Sequence, residues 1–505
     1  MHAELAMDGV GEVTALKQRN VITAAITVAG LVVATGASAV SAPAVQATAA
    51  QAPQGPTIKL IAAQHTITAQ RFGKQVFVDP GIWVASLGAP LRLDVGRASY
   101  TDPVTITQVI SQPGLSPQTR PLPASVLDGW NGLKNFISLT IKNKAGKKIA
   151  TTRMTLCPNT FDPERASPDS PSTSPYPQEC GAMDPFQIGT VWGIERGWAV
   201  DAAQSGRTYR LALGTYRVTV SITAAYTRLF GIPPAHASAT VVMKVVKGTS
   251  CCAAIGGTNR RPAAQAKLSA VAAMGNPPES ALPDLVPLPA WGIRTTHAAG
   301  RDLLNFAATV WVGGNGQLDV QGFRVKSSPV MSAYQYFWQN GQVIGRARVG
   351  TMGFDSLPGH NHWHFEQFAA YKLLGSGGKL VLRSQKTGFC IAPTDPVDLL
   401  LPNAVWQPSF VGFTGQCGST TALWVRETMP VGWGDTYIQS IAGQAFDITK
   451  LPNGTYYVQV TANPGHHLHE TTTANDVTVR KVIISGTRGH RHVKVPAWNG
   501  IDPER

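Results

Sequence analysis

The chain has 505 residues, a formal net charge of +14 and a pI near 9.6. Its length leaves room for two or three domains, and 43% hydrophobic residues suffice for packed cores, while fifty glycines, thirty-six prolines and only 14% charged residues speak against helical bundles. The basic balance predicts weak association with acidic cell-surface polymers; with no Lys/Arg stripe between aromatics and no zinc-finger spacing, no nucleic acid is expected as a partner.

Residues 1–47 read as a signal peptide. Lys17 and Arg19 precede the uncharged apolar run Val21 to Val33, and Ala37-Ser38-Ala39 or Val45-Gln46-Ala47 would suit a signal peptidase. The run is short for a bilayer span. The expectation is export, as a secreted protein or on an uncleaved anchor. Six cysteines, an even number, fit that compartment. Residues 48–57 read as a flexible leader.

A β-rich, Ig-like accessory domain is expected over residues 58–250. Gln75-Val76-Phe77-Val78, Phe136 to Ile141 and Tyr216 to Ser221 are β-branched and aromatic runs bounded by turn residues. Asn143-Lys144-Ala145-Gly146 reads as a hairpin turn. Cys157 and Cys180 flank a Pro/Ser-rich loop and could pair, but Cys251 and Cys252 could also pair with either or with each other. No catalytic constellation occurs in this region. Residues 251–281 read as a linker with a short helix around Ala264 to Ala273.

The second domain, 282–496, opens at Leu282-Pro283-Asp284-Leu285-Val286, with a tail over 497–505. Strands are expected at Leu303 to Trp311, Phe323 to Lys326, Tyr336 to Trp338, Gly341 to Gly345, His360 to Phe368, Leu380 to Arg383 and Tyr456 to Thr461. Asn453-Gly454 signals a turn before the last. Long helices are absent, so the class is all-β, an antiparallel sandwich or barrel.

Pro358-Gly359-His360-Asn361-His362-Trp363-His364-Phe365-Glu366 is the most informative stretch. In an extended segment His360, His362 and His364 leave one face, with Glu366 continuing the row, while Trp363 and Phe365 enter the core. Imidazole suits zinc, copper, iron or nickel. His466, His467 and His469, and separately His490 and His492, show no strict ligand pattern and read as exposed loop histidines. Trp311, Trp338, Trp424 and Trp433 read as core, with a substrate cleft as the alternative.

From Asp284 to Gly486 the chain resembles the catalytic domain of the lysyl oxidases. The ordered motifs are Asp284-Leu285-Val286; the three alternating histidines with Phe368, Tyr371 and Leu373-Leu374; Lys386-Thr387-Gly388-Phe389-Cys390; and Gly432-Trp433-Gly434-Asp435-Thr436-Tyr437 with Asp447-Ile448-Thr449. Gly454 to Val460, Asn463-Pro464, Glu470 and Asn475 complete the series.

The resemblance implies a copper-dependent amine oxidase, a protein-lysine 6-oxidase, that makes its own lysine tyrosylquinone. His360, His362 and His364 would hold copper. Lys386 and Tyr437, 51 positions apart, would form the quinone cross-link, and a precursor is expected to hold them still apart. Cys390 and Cys417 would form a disulfide around the intervening loop, with Phe389 packed beneath. The quinone would condense with a primary amine, a base would take the α-proton, and hydrolysis would yield an aldehyde, with O2 reduced to H2O2 and ammonia released. Asp435 and Asp447 are the candidate bases, and Glu366 a candidate partner for an imidazole.

The resemblance further implies a structural calcium held by Asp284, the Leu285 carbonyl, Glu470, Asn475 and Asp476, with Thr472 where the family commonly has a carboxylate. Animal members carry a cysteine where this chain has Trp433, so peptidyl lysine in large structural proteins and small amines both stay open as substrates. Two other readings stand beside this one. A cupin-like oxygenase would use His360, His362 and Glu366 with His466 or His467. The other is a non-catalytic extracellular metal-binding module.

Overall fold

Period-two burial runs through the longer strands and sets which faces meet. In Gly214–Ile222, Tyr216, Val218, Val220 and Ile222 are buried and the residues between them are not. The computed structural model describes residues 55–111, 116–203, 206–248, 271–325, 328–356, 361–384, 386–408 and 417–504. The expected signal segment, Cys251 and Cys252, most of the expected linker helix (264–270) and His360 lie outside the described residues.

The architecture is nearly all β, with one six-residue α-helix, Ala224–Leu229, among the described residues. Strands between Thr57 and Lys247 form a seven-stranded and two four-stranded sheets. Strand pairing is antiparallel except that Thr66–Phe72 runs parallel to Ser238–Lys247. The Asn143–Gly146 turn forms as expected, with Gly146 N–H donating to the Asn143 carbonyl at 2.9 Å and Gly146 at φ 81°.

Strands between Leu285 and Lys494 form three further sheets. One orders Gly388–Phe389, His362–Glu366, Gln342–Asp355, Val330–Gln339, Leu318–Phe323 and Trp424–Met429 side by side. A second orders Leu285–Pro287, Arg301–Val312, Trp433–Tyr437 and Asp395–Pro396. The third is built from Leu380–Arg383, Ala369–Gly375, Gly454–Ala462, Val477–Thr487 and His490–Lys494. Their inner faces share one core that includes Phe306, Trp363, Phe365, Phe389 and Tyr437.

Several boundaries differ from expectation. The Phe323–Lys326 strand is Leu318–Phe323: Arg324 turns aside, donates to the Ala422 carbonyl at 2.8 Å, and lies 4.4 Å over the Trp363 ring. The His360–Phe368 strand is described as His362–Glu366, and Gln367 has φ 71°, which ends it. Thr57, placed in the leader, pairs with Leu87. Ala273, placed in the linker, bridges Arg346.

The tail is packed in place. Trp498 sits against Tyr100 and Phe186, and Glu504 accepts the Ile293 N–H at 2.5 Å. The described residues fall in one compact unit.

Candidate active site

His362 and His364 leave the same face of their strand, and their ring centroids are 4.7 Å apart. Trp363 and Phe365, on the other face, are fully buried. His364 is buried too, and its Nδ1 lies 3.6 Å from the Asp355 carboxylate. That distance is an ion-pair approach, too long for a hydrogen bond.

Among the described residues Glu366 is seen with a hydroxyl rather than an imidazole. Its carboxylate is exposed and accepts the Thr351 hydroxyl at 2.7 Å. Asp355, opposite His362 in the strand ladder, takes the place beside the histidines.

The Lys386 segment is drawn to the histidines by pairing. Phe389 and Gly388 lie opposite Phe365 and Glu366. Gly388 has to be small, because a Cβ there would stand 2.8 Å from the His364 Cβ. Two residues upstream, Lys386 is 8% exposed. Its Nζ lies 4.3 Å from the centroid of the Tyr437 ring and 4.9 Å from that of Phe389.

Lys386 and Tyr437 are not bonded to one another, and the fold sets the two side chains in contact. The Tyr437 hydroxyl donates to the Cys390 carbonyl at 3.1 Å and accepts the Cys390 N–H at 2.9 Å, so ring and lysine segment are clasped. Phe389 stands edge-on to Tyr437, with centroids 5.1 Å apart. Cys390 is disulfide-bonded to Cys417, and Cys157 to Cys180.

Asp435 and Tyr437 are two apart in the extended strand Trp433–Tyr437 and share a face. Asp435 is 1% exposed. Burial pushes its carboxyl well above the usual range, opposed chiefly by the Lys386 ammonium. Burial also lowers Lys386 to about 8, against the pull of Asp435 and Asp355. The Tyr437 phenol is raised by burial, and by Asp435 and Tyr371 nearby.

Asp447, the other candidate base, is not in this site. It is exposed, its Oδ1 accepts the Thr449 N–H at 3.0 Å, and those Thr449 bonds hold its carboxyl low. A carboxyl missed from the sequence is present instead. Glu427 is fully buried, and its Oε2 accepts the Ile391 N–H at 3.0 Å. Burial raises it well above the usual range, with Asp435 adding to the effect. The signal was available: Val425, Glu427 and Met429 form the buried row of Trp424–Met429, and Glu427 is the charged residue in it.

The other aromatic and histidine candidates fall outside this cluster. Trp338 Nε1 donates to Asp319 at 2.7 Å, Trp424 Nε1 to Gln321 at 3.0 Å and Trp433 Nε1 to the Val405 carbonyl at 2.6 Å. Trp311 is half-buried against Phe186, Leu288 and Val397. His466, His467, His490 and His492 are exposed.

A second polar cluster joins Asp284 to the Glu470–Asp476 loop. Asn475 donates to Asp284 Oδ2 at 3.0 Å, and Glu470 Oε2 accepts the Leu285 N–H at 3.1 Å. The buried oxygens Asp284 Oδ1, Asn475 Oδ1 and both of Asp476 make no hydrogen bond. Burial and mutual repulsion raise Glu470 to about 7 and Asp476 to about 6. Thr472 Oγ1 accepts the Ala474 N–H at 3.2 Å.

Among the described residues no three His, Cys, Asp or Glu side chains form a ready metal cage. The donor types nevertheless fit the implied ions. Two imidazoles on one face suit copper, and carboxylate and amide oxygens left without donors suit a hard cation.

A family model for lysyl oxidase matches residues 334–493. The chain is 30% identical over 139 residues to lysyl oxidase homolog 2 of Gallus gallus, covering 27% of this chain and 16% of that protein. It is 28% identical over 153 residues to lysyl oxidase homolog 4 of Bos taurus, covering 30% and 18%. It is also 28% identical over 149 residues to lysyl oxidase homolog 2A of Danio rerio, covering 29% and 18%. The match thus spans about a sixth of the length of these curated relatives. The stretch 334–493 contains the histidine strand, Lys386, Asp435 and Tyr437, and it is this part of the chain that is similar to the lysyl oxidases.

Proposed function

We propose that this chain is an exported copper-dependent amine oxidase that converts primary amines or peptidyl lysine to aldehydes through a Lys386–Tyr437 quinone. One observation carries the reading: Lys386 Nζ lies 4.3 Å from the Tyr437 ring in a buried site beside the histidine strand. His360, His362 and His364 would hold the copper, whose part is to activate O2 and the Tyr437 phenol.

The chain's own residues supply the rest. Burial removes water from around Lys386 and raises the fraction of free amine available as nucleophile. The Cys390 peptide group fixes the Tyr437 hydroxyl at both its donor and acceptor sides. Asp435, on the same strand face as Tyr437, is the residue best placed to hold and move the substrate α-proton. Asp355, beside His364, would orient that imidazole.

A structural calcium at Asp284, the Leu285 carbonyl, Glu470, Asn475 and Asp476 belongs to the same reading; the oxygens without hydrogen bonds support it. Export rests on residues 1–47 and the two disulfides. No helix among the described residues is long and apolar enough to cross a membrane.

The test is peptide mapping of copper-loaded, aerated protein after phenylhydrazine treatment. One labelled, cross-linked species containing Lys386 and Tyr437 is expected. Two separate unmodified peptides, from protein holding copper at the histidines, would remove the amine-oxidase reading.

A further inference from the structure

The strand Trp433–Tyr437 presents Asp435 and Tyr437 on one face and Thr436 on the other. The rear side chain is held as firmly as the front ones. Thr436 Oγ1 donates to Asp395 Oδ2 at 2.7 Å and lies 2.8 Å from Thr309 Oγ1. The Thr436 N–H donates to Thr394 Oγ1 at 2.7 Å.

Asp395 is 1% exposed, and its two remaining donors come from the N-terminal β region. The Met183 N–H reaches Oδ1 at 2.7 Å and the Asp184 N–H reaches Oδ2 at 3.1 Å. The segment that supplies them is anchored along its length. Cys180 is disulfide-bonded to Cys157, and its carbonyl accepts Trp192 Nε1 at 2.9 Å. Phe186 is buried with Leu288 and Val397. Ile188 and Gly189 N–H both donate to the Val397 carbonyl, and Leu399 N–H donates back to the Gly189 carbonyl at 3.0 Å. Gly189 permits this approach, since a Cβ there would stand 2.5 Å from Asp398 Oδ1.

A buried carboxylate is a poor way to gain stability, because its desolvation offsets what its bonds return. What three convergent donors do give is direction. They fix one strand relative to one loop.

We propose that the N-terminal β region is the rear wall of the catalytic strand, and that Asp395 is a positioning residue. Gripped by the Met183 and Asp184 N–H groups, it holds Thr436 and so sets where Asp435 and Tyr437 stand relative to Lys386. The proposal rests on the Lys386–Tyr437 reading for its functional consequence.

The experiment uses the full chain and the variants T436V, D395N and D395A. T436V removes one hydroxyl and leaves Asp395 its two N–H donors, so it stays informative if D395A fails to fold. The copper-loaded proteins are aerated, and the phenylhydrazine-reactive cross-link is followed in time. With copper stoichiometry and melting temperature matched to the parent, T436V should mature about tenfold more slowly. Amide oxygen still accepts the Thr436 hydroxyl in D395N, which should fall between T436V and the parent.

Hydrogen exchange of the metal-free proteins is the second readout. Residues 181–189 and 433–437 should lose protection together in D395A, or in D395N if D395A does not fold. Wild-type maturation rates in both T436V and D395N, or unchanged exchange at 433–437, would overturn the proposal. If the parent itself forms no cross-link, the quinone reading fails, while the exchange data still decide the positioning claim.

Discussion

Lys386 stands where an ammonium is poorly solvated, between two aromatic rings and one buried carboxyl. Lowered to about 8, it is roughly one-tenth free amine at pH 7, against less than about one part in a thousand for an ordinary lysine. If free amine is the attacking species, cross-link formation should rise about fivefold from pH 7 to pH 8 and level off above pH 9. Phenylhydrazine-adduct yields at fixed times across pH 6–10 measure this; a rate still climbing at pH 10 would count against it.

Glu427 supports a prediction of opposite chemistry. Burial raises its folded-state pKa well above that of the unfolded chain. A raised carboxyl favours the fold below the unfolded pKa, and that contribution is lost as pH rises toward the folded pKa. Glutamine keeps an acceptor for the Ile391 N–H but cannot ionise on unfolding. The melting temperature of E427Q relative to the parent should therefore climb as pH rises from 4 to 8. Leucine leaves the Ile391 N–H without its partner and should cost about 1–3 kcal/mol relative to E427Q at any pH.

At the scale of elements, the histidine strand was legible because its period-two row of imidazoles is rare and its alternate residues are large and apolar. The lysine and tyrosine segments were legible as family motifs, not by pattern. Gly388–Phe389 is too short to announce itself as a strand, and its partner is set by tertiary packing. Glu366 continues the row by period, whereas Asp355, the carboxylate beside His364, lies across the ladder, where sequence period carries no signal. Asp435 was the base candidate nearer to Tyr437 in sequence, and its extended strand puts it on the face of that ring; Asp447, the more distant candidate, is held by Thr449 instead.

Gly388 tests this cross-strand view. G388A would force its new methyl against the His364 Cβ, 2.8 Å away on the present backbone. Overpacking of this kind costs about 1–3 kcal/mol, and here the strain falls on a proposed copper ligand. Copper stoichiometry after dialysis should drop along with the melting temperature. Full copper retention in a folded G388A protein would mean that the two strands can part without disturbing the site.

At the scale of the whole molecule, the accessory region and the tail were read as separate pieces because linkers and short tails carry no packing signal of their own. Trp498, Phe186 and Gly189 become informative once they meet their partners across the chain. The Asp284 cluster is also a joint between distant segments, tying the first strand of this region to the loop that enters Val477–Thr487. Its carboxyls show how an ion could act on the fold. Without a cation, Glu470 at about 7 and Asp476 at about 6 both lie above their ordinary values, so their contribution to stability is lost as pH rises from about 4 to 7. A bound calcium favours the ionised forms and reverses that loss. Added calcium should therefore raise the melting temperature at pH 8 and leave it nearly unchanged at pH 5, where protons compete for the same oxygens. The rise should vanish in D476N, and an equal shift at both pH values would place the calcium effect elsewhere on the molecule.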